Sequence, residues 1–464
     1  MKTLYVYADF DWLDEPMLVG ELGYESLRGS DSYSFKYDNG WLRQYGSLFL
    51  CADINNYPGL QYTQPDRDIF GCFSDALPDR WGRLLLNRRE QILATEEKRP
   101  VRKLSSFDYL MGIDDYSRMG GFRFKEPMEQ REPSNSLEWP SRDRGRRSQN
   151  QDGEYINRWS SESHQARLNG RVATEEDEVN CEESLRIPPL TDIRALVAAS
   201  MEIEKSEEQN QLPEKKWLLQ LIHPGTSLGG ARPKASVMND EGWLCVAKFP
   251  LRNDDYDVGL WEHHSHLLAK EAGIFAAETN VIETGEKYHA LLSRRFDRTA
   301  EGCRKHFASA LTLLGLTDGC DAKTGNGYLD IVDFILQNCC DVEQNLRQLY
   351  RRVAFNIAIG NSDDHFRNHG FLLTPRGWTL SPAYDMNPTL NEYQALLINS
   401  TTNHADLQVL LDSSEEYMIG KEEAVRIIEE VKAGVKHWKS IATRLGIAKR
   451  EMDVFEQVFQ RSLK

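Results

Sequence analysis

The first fifty residues alternate between hydrophobic and polar positions, a pattern that is typical of β-strands. Apolar or alternating runs occur at 4–7, 17–19 and 32–37, and the turn residues Asp38-Asn-Gly40 close the last run. Residues of this kind end strands because they accept backbone conformations that strand residues avoid. The pattern therefore predicts a small β-rich module at the start of the chain.

A helical pattern much later in the chain leads into a polar segment. Its apolar residues recur at helical spacing: Leu346, Leu349, Tyr350, Val353 and Ile357. The polar segment 361–368 follows, and 370–373 and 378–380 then read as two strands joined by a turn at 374–377. We predict a buried helix that positions a polar loop, followed by a hairpin that delivers Asp385.

A glycine-rich stretch at 224–234 (Pro-Gly-Thr-Ser-Leu-Gly-Gly-Ala-Arg-Pro-Lys) leads into two short strands, 235–237 and 243–248, and the second ends at Lys248. Glycines let backbone N–H groups approach phosphate oxygens, and a lysine on a neighbouring strand neutralises the phosphate charge. Glu262, on the helical pattern that follows, is a candidate partner for Lys248. Taken alone, a mobile glycine turn and a surface glutamate explain these features as well.

Two further segments have distinct compositions. Residues 132–187 are polar and carry charge blocks at 142–147 and 175–178, so this segment cannot bury enough surface to offset its ordering entropy. We predict a disordered or loosely ordered insertion, and a solvated linker explains its arginines better than contacts with phosphate. Near the end of the chain, a stripe predicts one helix with a core-packing face. The stripe comprises Val425, Ile428, Val431, Val435, Trp438, Ile441 and Leu445.

Composition narrows the classes of function. The 464 residues suffice for about three domains, and the net charge of −16 argues against a surface that binds nucleic acid throughout. No apolar run approaches the roughly 18 residues that cross a bilayer, and Asp9 and Asp11 fall where a signal peptide needs apolar residues. We therefore expect a cytoplasmic protein without a membrane partner. The eight cysteines form no C-x-x-C pair, which indicates free thiols rather than a metal site.

The candidate chemistry centres on Asp363 and Asn368, whose spacing is that of a protein-kinase catalytic loop. In such a loop the Asp accepts the proton of an attacking hydroxyl, and the Asn binds magnesium on the nucleotide phosphates. A polar cluster after a helix is, by itself, also typical of a helix end and a solvated turn. The order of parts decides between these interpretations. A glycine loop, Lys248, Glu262, the Asp363 loop and Asp385 follow one another as a phosphotransferase requires.

Six stretches of the chain resemble the HipA-type serine/threonine protein kinases, the toxin components of bacterial toxin–antitoxin pairs. The stretches span nearly the whole chain apart from the polar insertion, and those at 227–234 and 360–368 are the most specific. They are 73–82 (FSDALPDRWG), 119–124 (MGGFRF), 227–234 (SLGGARPK), 294–298 (RRFDR), 360–368 (GNSDDHFRN) and 380–385 (LSPAYD).

The resemblance implies an α+β, two-lobed protein-kinase-like fold with an added N-terminal β-rich module. On this basis residues 1–131 form the N-terminal module with a helix, and 132–187 form the insertion. Residues 188–300 form the kinase N-lobe with the glycine-rich loop and the strand lysine. Residues 301–464 form the helical C-lobe with the catalytic loop.

The resemblance also implies roles for individual residues. Asp363 is the expected catalytic base, Asn368 and Asp385 are the expected magnesium ligands, and Ser227 is the expected autophosphorylation site. The remaining residues share an expected place near ATP. They are Gly229, Gly230, Ala231, Arg232, Lys234, Lys248, Arg294, Phe296 and His365, with Arg294 and Phe296 at the adenine hinge.

Several alternatives stay open at the level of sequence. Asp364 places a second carboxylate beside the base, and a coupled pair leaves the base assignment between Asp363 and Asp364 open, although only Asp363 keeps the spacing to Asn368. One alternative function is a catalytically inactive kinase-like module that acts with an antitoxin in DNA-bound regulation. Another is a metal-dependent phosphohydrolase that uses Asp363, Asp364, His365 and Asp385.

The resemblance further implies partners. Family members phosphorylate aminoacyl-tRNA synthetases, and translation factors are a second class of expected protein substrate. A HipB-like antitoxin is an expected partner, and nucleic acid enters only indirectly through that partner. No residue of the chain identifies the substrate.

Overall fold

A computed structural model describes residues 2–27, 30–64, 67–127, 187–222, 224, 230 and 232–463. The predicted insertion 132–187 lies outside the described residues except for residue 187. Ser227, Gly229 and Ala231 also lie outside them. Every helix in the described ranges is too short or too polar to cross a bilayer.

The chain divides into two compact units, each assembled from separate stretches. The first unit contains Met1–Ser47, Ile54–Cys245 and Asp297–His306. The second unit contains Leu48–Asp53, Val246–Phe296 and Phe307–Lys464. The second unit therefore combines residues on both sides of the boundary predicted at residue 300.

The first unit contains a five-stranded sheet in the order β4-β3-β2-β1-β5. All its strand pairs are antiparallel, with Leu4 opposite Leu22 and Leu22 opposite Phe35. Leu4, Leu22 and Phe35 are each at most 1% exposed, as the alternating pattern predicts. The strands are β1 (Lys2–Ala8), β2 (Met17–Leu27), β3 (Ser30–Tyr37), β4 (Gln61–Tyr62) and β5 (Phe122–Lys125).

Helices of the first unit pack beside this sheet and against one another. Asp79 is the N-cap of α3, because its carboxylate accepts a hydrogen bond from Gly82 N, and the same carboxylate pairs with Lys234 Nζ at 2.7 Å. The elements are α1 (Asn39–Tyr45), α2 (Gly71–Ser74), α3 (Arg80–Glu96), α4 (Ser106–Gly112), α5 (Ile193–Glu208), α6 (Lys215–Ile222) and the strand β6 (Lys234–Met238).

Buried charges attach the stretch Asp297–His306 to the rest of the first unit. Arg304 and Arg123 both pair with the Asp115 carboxylate, at 3.2 and 2.6 Å. Asp297, which is fully buried, accepts from Gly120 N at 2.9 Å and pairs with Arg298. Each of these charges has an oppositely charged partner, which offsets part of the cost of burying it.

The second unit contains most of the strands that follow the glycine-rich stretch, whereas β6 belongs to the first unit. The sheet has the order β6-β7-β9-β8, and the division between the two units falls within β7, after Cys245. A smaller sheet has the order β10-β11-β12, and its β11–β12 hairpin confirms the predicted one. The strands are β7 (Leu244–Lys248), β8 (Thr279–Glu283), β9 (His289–Arg294), β10 (Phe307–Ser309), β11 (Gly370–Thr374) and β12 (Gly377–Leu380).

Helices form most of the second unit. They are α7 (Val258–Glu271), α8 (Ala310–Leu313), α9 (Tyr328–Asn338), α10 (Val342–Ile359), α11 (Leu407–Asp412), α12 (Lys421–Val435), α13 (Trp438–Arg444) and α14 (Lys449–Leu463). The helix α10 is the predicted buried helix, and it packs against α12 and α14. Its apolar residues Leu349, Tyr350 and Val353 are fully buried, so the core of this unit fixes its position.

The predicted C-terminal helix is wrong in one respect, because the stripe is divided between α12 and α13. The helix breaks at Lys436 and His437, and Trp438 then stacks on Phe459 of α14 with ring centroids 4.5 Å apart. Val425, at the start of the stripe, is 43% exposed. Helical spacing alone does not show that tertiary stacking redirects the chain.

Candidate active site

The polar loop begins where α10 ends, at a glycine in the left-handed conformation. Gly360 has φ 69°, and a Cβ there would lie 2.3 Å from the Val458 side chain. Glycine therefore allows both the turn and the close packing. Asn361 N then donates to Asn356 O at 2.8 Å, which starts the loop at a fixed point. The hairpin after the loop begins at Gly370.

The two adjacent carboxylates of the loop have opposite surroundings. Asp363 is exposed, whereas Asp364 is 3% exposed. Asp364 Oδ2 accepts hydrogen bonds from Tyr328, Asn356 and His369 at 2.7 to 2.8 Å. Burial alone would raise the pKa of Asp364, but His369 and these hydrogen bonds outweigh it and lower the pKa below its usual value. Asp364 is therefore an ionised carboxylate occupied by protein donors.

Asp363 has the electrostatic surroundings of a proton acceptor. Its side chain reaches solvent, yet partial burial raises its pKa. His365 lowers this pKa, whereas the negative charges of Asp385 and Asp364 raise it further. A carboxylate whose pKa is raised accepts a proton more readily.

Asn368 is held by the loop itself. Its Nδ2 donates to Asp363 O at 3.2 Å, and its backbone N donates to His365 O at 2.8 Å. Within the described residues, Asn368 Oδ1 has no hydrogen-bond partner. The amide is thus oriented with its oxygen available to a ligand.

Lys248, Glu262 and Asp385 meet in the second unit although they come from three separate segments. Lys248 Nζ lies 2.7 Å from Glu262 Oε1 and 2.7 Å from Asp385 Oδ1. Burial would lower the pKa of Lys248, but the two carboxylates outweigh it and raise the pKa above its usual value. The lysine is therefore a fixed positive charge. The sequence-predicted pairing of Lys248 with Glu262 is present.

Asp385 follows the hairpin in an unusual backbone conformation. Its φ is 59°, in the left-handed region that non-glycine residues rarely adopt. Tyr384, the residue before it, donates its hydroxyl hydrogen to Arg367 O at 2.6 Å, which ties this segment to the polar loop. Strained backbone of this kind clusters at functional sites, where surrounding contacts hold it.

The residues predicted at the adenine hinge lie at the end of β9. Arg294 N donates to Glu278 O at 2.8 Å, so this backbone N–H is occupied. The Phe296 ring packs against those of Phe307 and Tyr384, at 5.8 and 5.6 Å between centroids. Phe296 is therefore in contact with the residue that precedes Asp385.

The remaining described residues that we predict to lie near the nucleotide are distributed over both units. Lys234 is 1% exposed and pairs with Asp79 within the first unit, and Gly230 has φ 111°. Arg232 is half-buried in the same unit. His365 is half-buried in the second unit, and its buried Nδ1 has no hydrogen-bond partner among the described residues.

The donor set fits a magnesium ion. Mg²⁺ prefers oxygen ligands, and it commonly takes one or two carboxylates together with substrate phosphates. Asn368 Oδ1 and the Asp385 carboxylate offer such oxygens. The negative charge of Asp385 raises the pKa of Asp363, and a bound divalent cation would offset that charge. The site therefore has an excess of negative charge beside oxygen ligands.

Sequence reasoning missed residues that support the site. Tyr328, Asn356 and His369 bind Asp364, and Asn387 Nδ2 lies 3.4 Å from Glu262 Oε2. Asn387 follows Asp385 by two positions, and this closeness in sequence could have identified it as a candidate site residue. The Asp364 donors carry no comparable signal, because the helices α9 and α10 bring them together only in the folded chain.

The fold and the site define a protein-kinase-like α+β protein, as predicted. A family model described as the HipA-like C-terminal domain matches residues 226–439. This match covers a little under half of the chain and confirms the resemblance found in its motifs. This match includes Lys248, Asp363, Asn368 and Asp385.

Two curated relatives are similar to part of the chain. The chain is 25% identical over 224 residues to the serine/threonine-protein kinase toxin HipA of Shewanella oneidensis, an alignment covering 43% of this chain and 50% of the relative. A second relative, from Haemophilus influenzae, is 28% identical over 181 residues, with 35% of this chain and 52% of the relative covered. The chain thus spans about half the length of the curated relatives it matches.

A solved structure is similar over nearly the whole chain. It is the Shewanella oneidensis MR-1 toxin–antitoxin complex of HipA, HipB and operator DNA, with a TM-score of 0.59 and 16% sequence identity. The alignment covers 99% of this chain and 96% of that chain. At this identity the likeness shows the fold, which confirms the predicted fold class.

Proposed function

We propose that the chain is an ATP- and Mg²⁺-dependent serine/threonine protein kinase of the HipA toxin type. The observation that carries the proposal is the position of Lys248 Nζ, 2.7 Å from both Glu262 and Asp385. A buried lysine oriented by a helix glutamate and placed beside a hairpin aspartate is the arrangement that a kinase uses to bind nucleotide phosphates. The charge of Asp385 acts in turn on Asp363, the candidate base.

Each residue would have one role in phosphoryl transfer. The substrate hydroxyl would give its proton to an Asp363 carboxylate oxygen, which burial and neighbouring charge make more basic. Asn368 and Asp385 would hold the magnesium ion, which neutralises charge on the phosphates when it is bound. Lys248 would orient the phosphates. Most of the rate enhancement would come from positioning and electrostatic stabilisation.

The finer nucleotide contacts are part of the same proposal. Gly229, Gly230, Ala231, Arg232 and Lys234 would lie near the phosphates. Phe296 and Arg294 would border the adenine, and His365 would stand beside the phosphates. Ser227 would be the residue that the chain phosphorylates in itself. These roles rest on the family resemblance of the three motifs that contain them, at 227–234, 294–298 and 360–368.

The proposal extends to partners. The HipA of the similar solved structure is in complex with HipB and operator DNA. We propose a HipB-like antitoxin as partner of this chain, with nucleic acid contacted only through it. A cytoplasmic aminoacyl-tRNA synthetase or translation factor would be the substrate.

An assay that measures both possible fates of the γ-phosphate of ATP separates the proposal from its alternatives. The full chain would be incubated with γ-labelled ATP and Mg²⁺, and protein-bound label and free inorganic phosphate would be measured together.

The three candidate functions predict different results in this assay. A kinase labels protein, and Lys248→Ala abolishes the labelling. An inactive binding module binds ATP without either product. A phosphohydrolase releases free phosphate and keeps this activity in Lys248→Ala. The burial of Asp364 argues against the last reading.

A further inference from the structure

Asp364 lies at the centre of a buried hydrogen-bond cluster directly beside the candidate base. Its Oδ2 accepts from Tyr328 Oη at 2.7 Å, from Asn356 Nδ2 at 2.7 Å and from His369 Nε2 at 2.8 Å. All four side chains are at least nine-tenths buried. Hydrogen bonds to an ionised acceptor are stronger than neutral ones, and water does not compete with them here.

The three donors come from the elements that surround the loop. Tyr328 is the first residue of α9, Asn356 lies in the last turn of α10, and His369 ends the loop. Asn356 has a second contact, because its Oδ1 accepts from Asn361 Nδ2 at 3.1 Å. One amide therefore joins the first residue of the loop to Asp364, and the cluster spans the loop from end to end.

We propose that Asp364 is a positioning residue that fixes the turn of this loop so that the neighbouring Asp363 faces the reacting hydroxyl. The inference rests on the proposed function and deepens it, since it gives the second carboxylate a separate task. The two side chains are adjacent in sequence, yet one is 3% exposed and the other is exposed. Anchoring Asp364 inward therefore determines where Asp363 points.

Substitutions at Asp364 separate its geometry from its charge. Asp364→Asn keeps an acceptor oxygen in the place of Oδ2, where the three donors point, although this oxygen belongs to a neutral amide. Asp364→Ala leaves three buried donors unsatisfied, and each costs free energy that the loop recovers only by moving. A displacement of about 1 Å at a catalytic group costs up to roughly 100-fold in rate.

Tyr328→Phe is the mild test, because it removes one donor and leaves the carboxylate. Tyr350→Phe is its matched control. Tyr350 is also fully buried in the second unit, and its hydroxyl donates to Leu410 O at 3.1 Å, away from the loop. Both variants lose one buried tyrosine hydrogen bond, so a difference between them reports on the loop rather than on stability.

The experiment measures kcat and KM for ATP of the full chain by the initial rate of label incorporation, together with thermal stability. We expect kcat to fall about tenfold in Tyr328→Phe and about 100-fold in Asp364→Ala, with KM for ATP within about twofold of wild type. Asp364→Asn should recover most of the activity lost in Asp364→Ala. Tyr350→Phe should lower the melting temperature and keep the wild-type kcat.

A second readout needs no turnover. Amide hydrogen exchange across 361–369 should be faster in Asp364→Ala and Tyr328→Phe than in wild type and Tyr350→Phe. Unchanged kcat and unchanged loop exchange in Tyr328→Phe and Asp364→Ala would overturn the positioning role. Absence of label in wild type, with the expected exchange pattern intact, would instead overturn the proposed function while leaving the anchoring of the loop supported.

Discussion

Lys248 Nζ lies 2.7 Å from the Asp385 carboxylate, although 137 positions of sequence separate the two residues. The strand β7 supplies the lysine, and the segment after the β11–β12 hairpin supplies the acid. Glu262 completes the group at 2.7 Å from the same nitrogen. A fixed cation between two acids, one of which also acts on Asp363, is the electrostatic centre of the candidate site.

Replacement of Lys248 should abolish transfer. In Lys248→Met the phosphates lose their oriented cation, and we expect the rate of label incorporation from γ-labelled ATP to fall by about 100-fold or more. Lys436→Met removes an exposed lysine at the end of α12 and is the matched control. Equal rates in the two variants would contradict a role for Lys248 in phosphate binding.

Replacement of Asn368 should weaken magnesium binding. We expect Asn368→Ala to raise the Mg²⁺ concentration for half-maximal label incorporation about tenfold, the equivalent of about 1.4 kcal/mol. A Mg²⁺ titration at saturating ATP measures the change. Asn280→Ala, at an exposed position of β8, should leave the titration unchanged. A lower rate at every Mg²⁺ concentration, with the midpoint unaltered, would argue against Asn368 as a ligand.

The Asp79–Lys234 pair should stabilise the first unit. The two side chains are 5% and 2% exposed, so loss of one charge leaves the other buried without this partner. We expect Lys234→Met and Asp79→Asn each to lower the free energy of unfolding by about 3 to 5 kcal/mol. Asn still caps α3, so the second variant removes mainly the charge.

A double-mutant cycle in urea measures the coupling between these residues. The Asp79→Asn/Lys234→Met variant should cost less than the sum of the single changes, with a coupling of about 1 to 3 kcal/mol. Strict additivity would show that the two side chains stabilise the unit independently.

The buried His264 should make stability depend on pH. Burial lowers the pKa of His264 to about 4, against an ordinary value of about 6.5, although its hydrogen bond to Trp438 O opposes this shift. Below pH 6.5 the unfolded chain binds a proton that the folded chain does not bind. The free energy of unfolding should therefore fall between pH 6.5 and 4, by up to about 1.4 kcal/mol per pH unit for this residue.

His264→Gln tests this dependence, because glutamine keeps a donor for Trp438 O and cannot titrate. Denaturant unfolding between pH 7 and 5 should show a shallower slope in this variant than in wild type. Tyr350→Phe, which is destabilised elsewhere in the same unit, should keep the wild-type slope. An unchanged slope in His264→Gln would show that this histidine is not the group responsible.

Local patterns predicted the elements around the site because their causes are local. Helical spacing placed α10, turn residues placed the β11–β12 hairpin, and a loop between them followed from its polar residues. The pairing of Lys248 with Glu262 followed from the order of parts in a kinase. Each of these features is encoded within a short window or a fixed order of motifs.

Features that depend on tertiary packing escaped prediction. The sequence left the base open between Asp363 and Asp364, because burial of the second carboxylate depends on Tyr328 and Asn356 from two helices. The division between α12 and α13 depends on the stacking of Trp438 on Phe459. Neither contact has a signature in the local pattern of hydrophobic and polar residues.

The most direct test of the central claim is phosphate transfer by the full chain with and without its candidate base. Wild type, Asp363→Asn and Asp453→Asn, which replaces an exposed acid on α14, would be incubated with γ-labelled ATP and Mg²⁺. We predict label on the peptide containing Ser227 in wild type and Asp453→Asn, and a rate at least about 100-fold lower in Asp363→Asn. Equal labelling of all three proteins, or the absence of label from wild type while ATP is bound, would contradict the account.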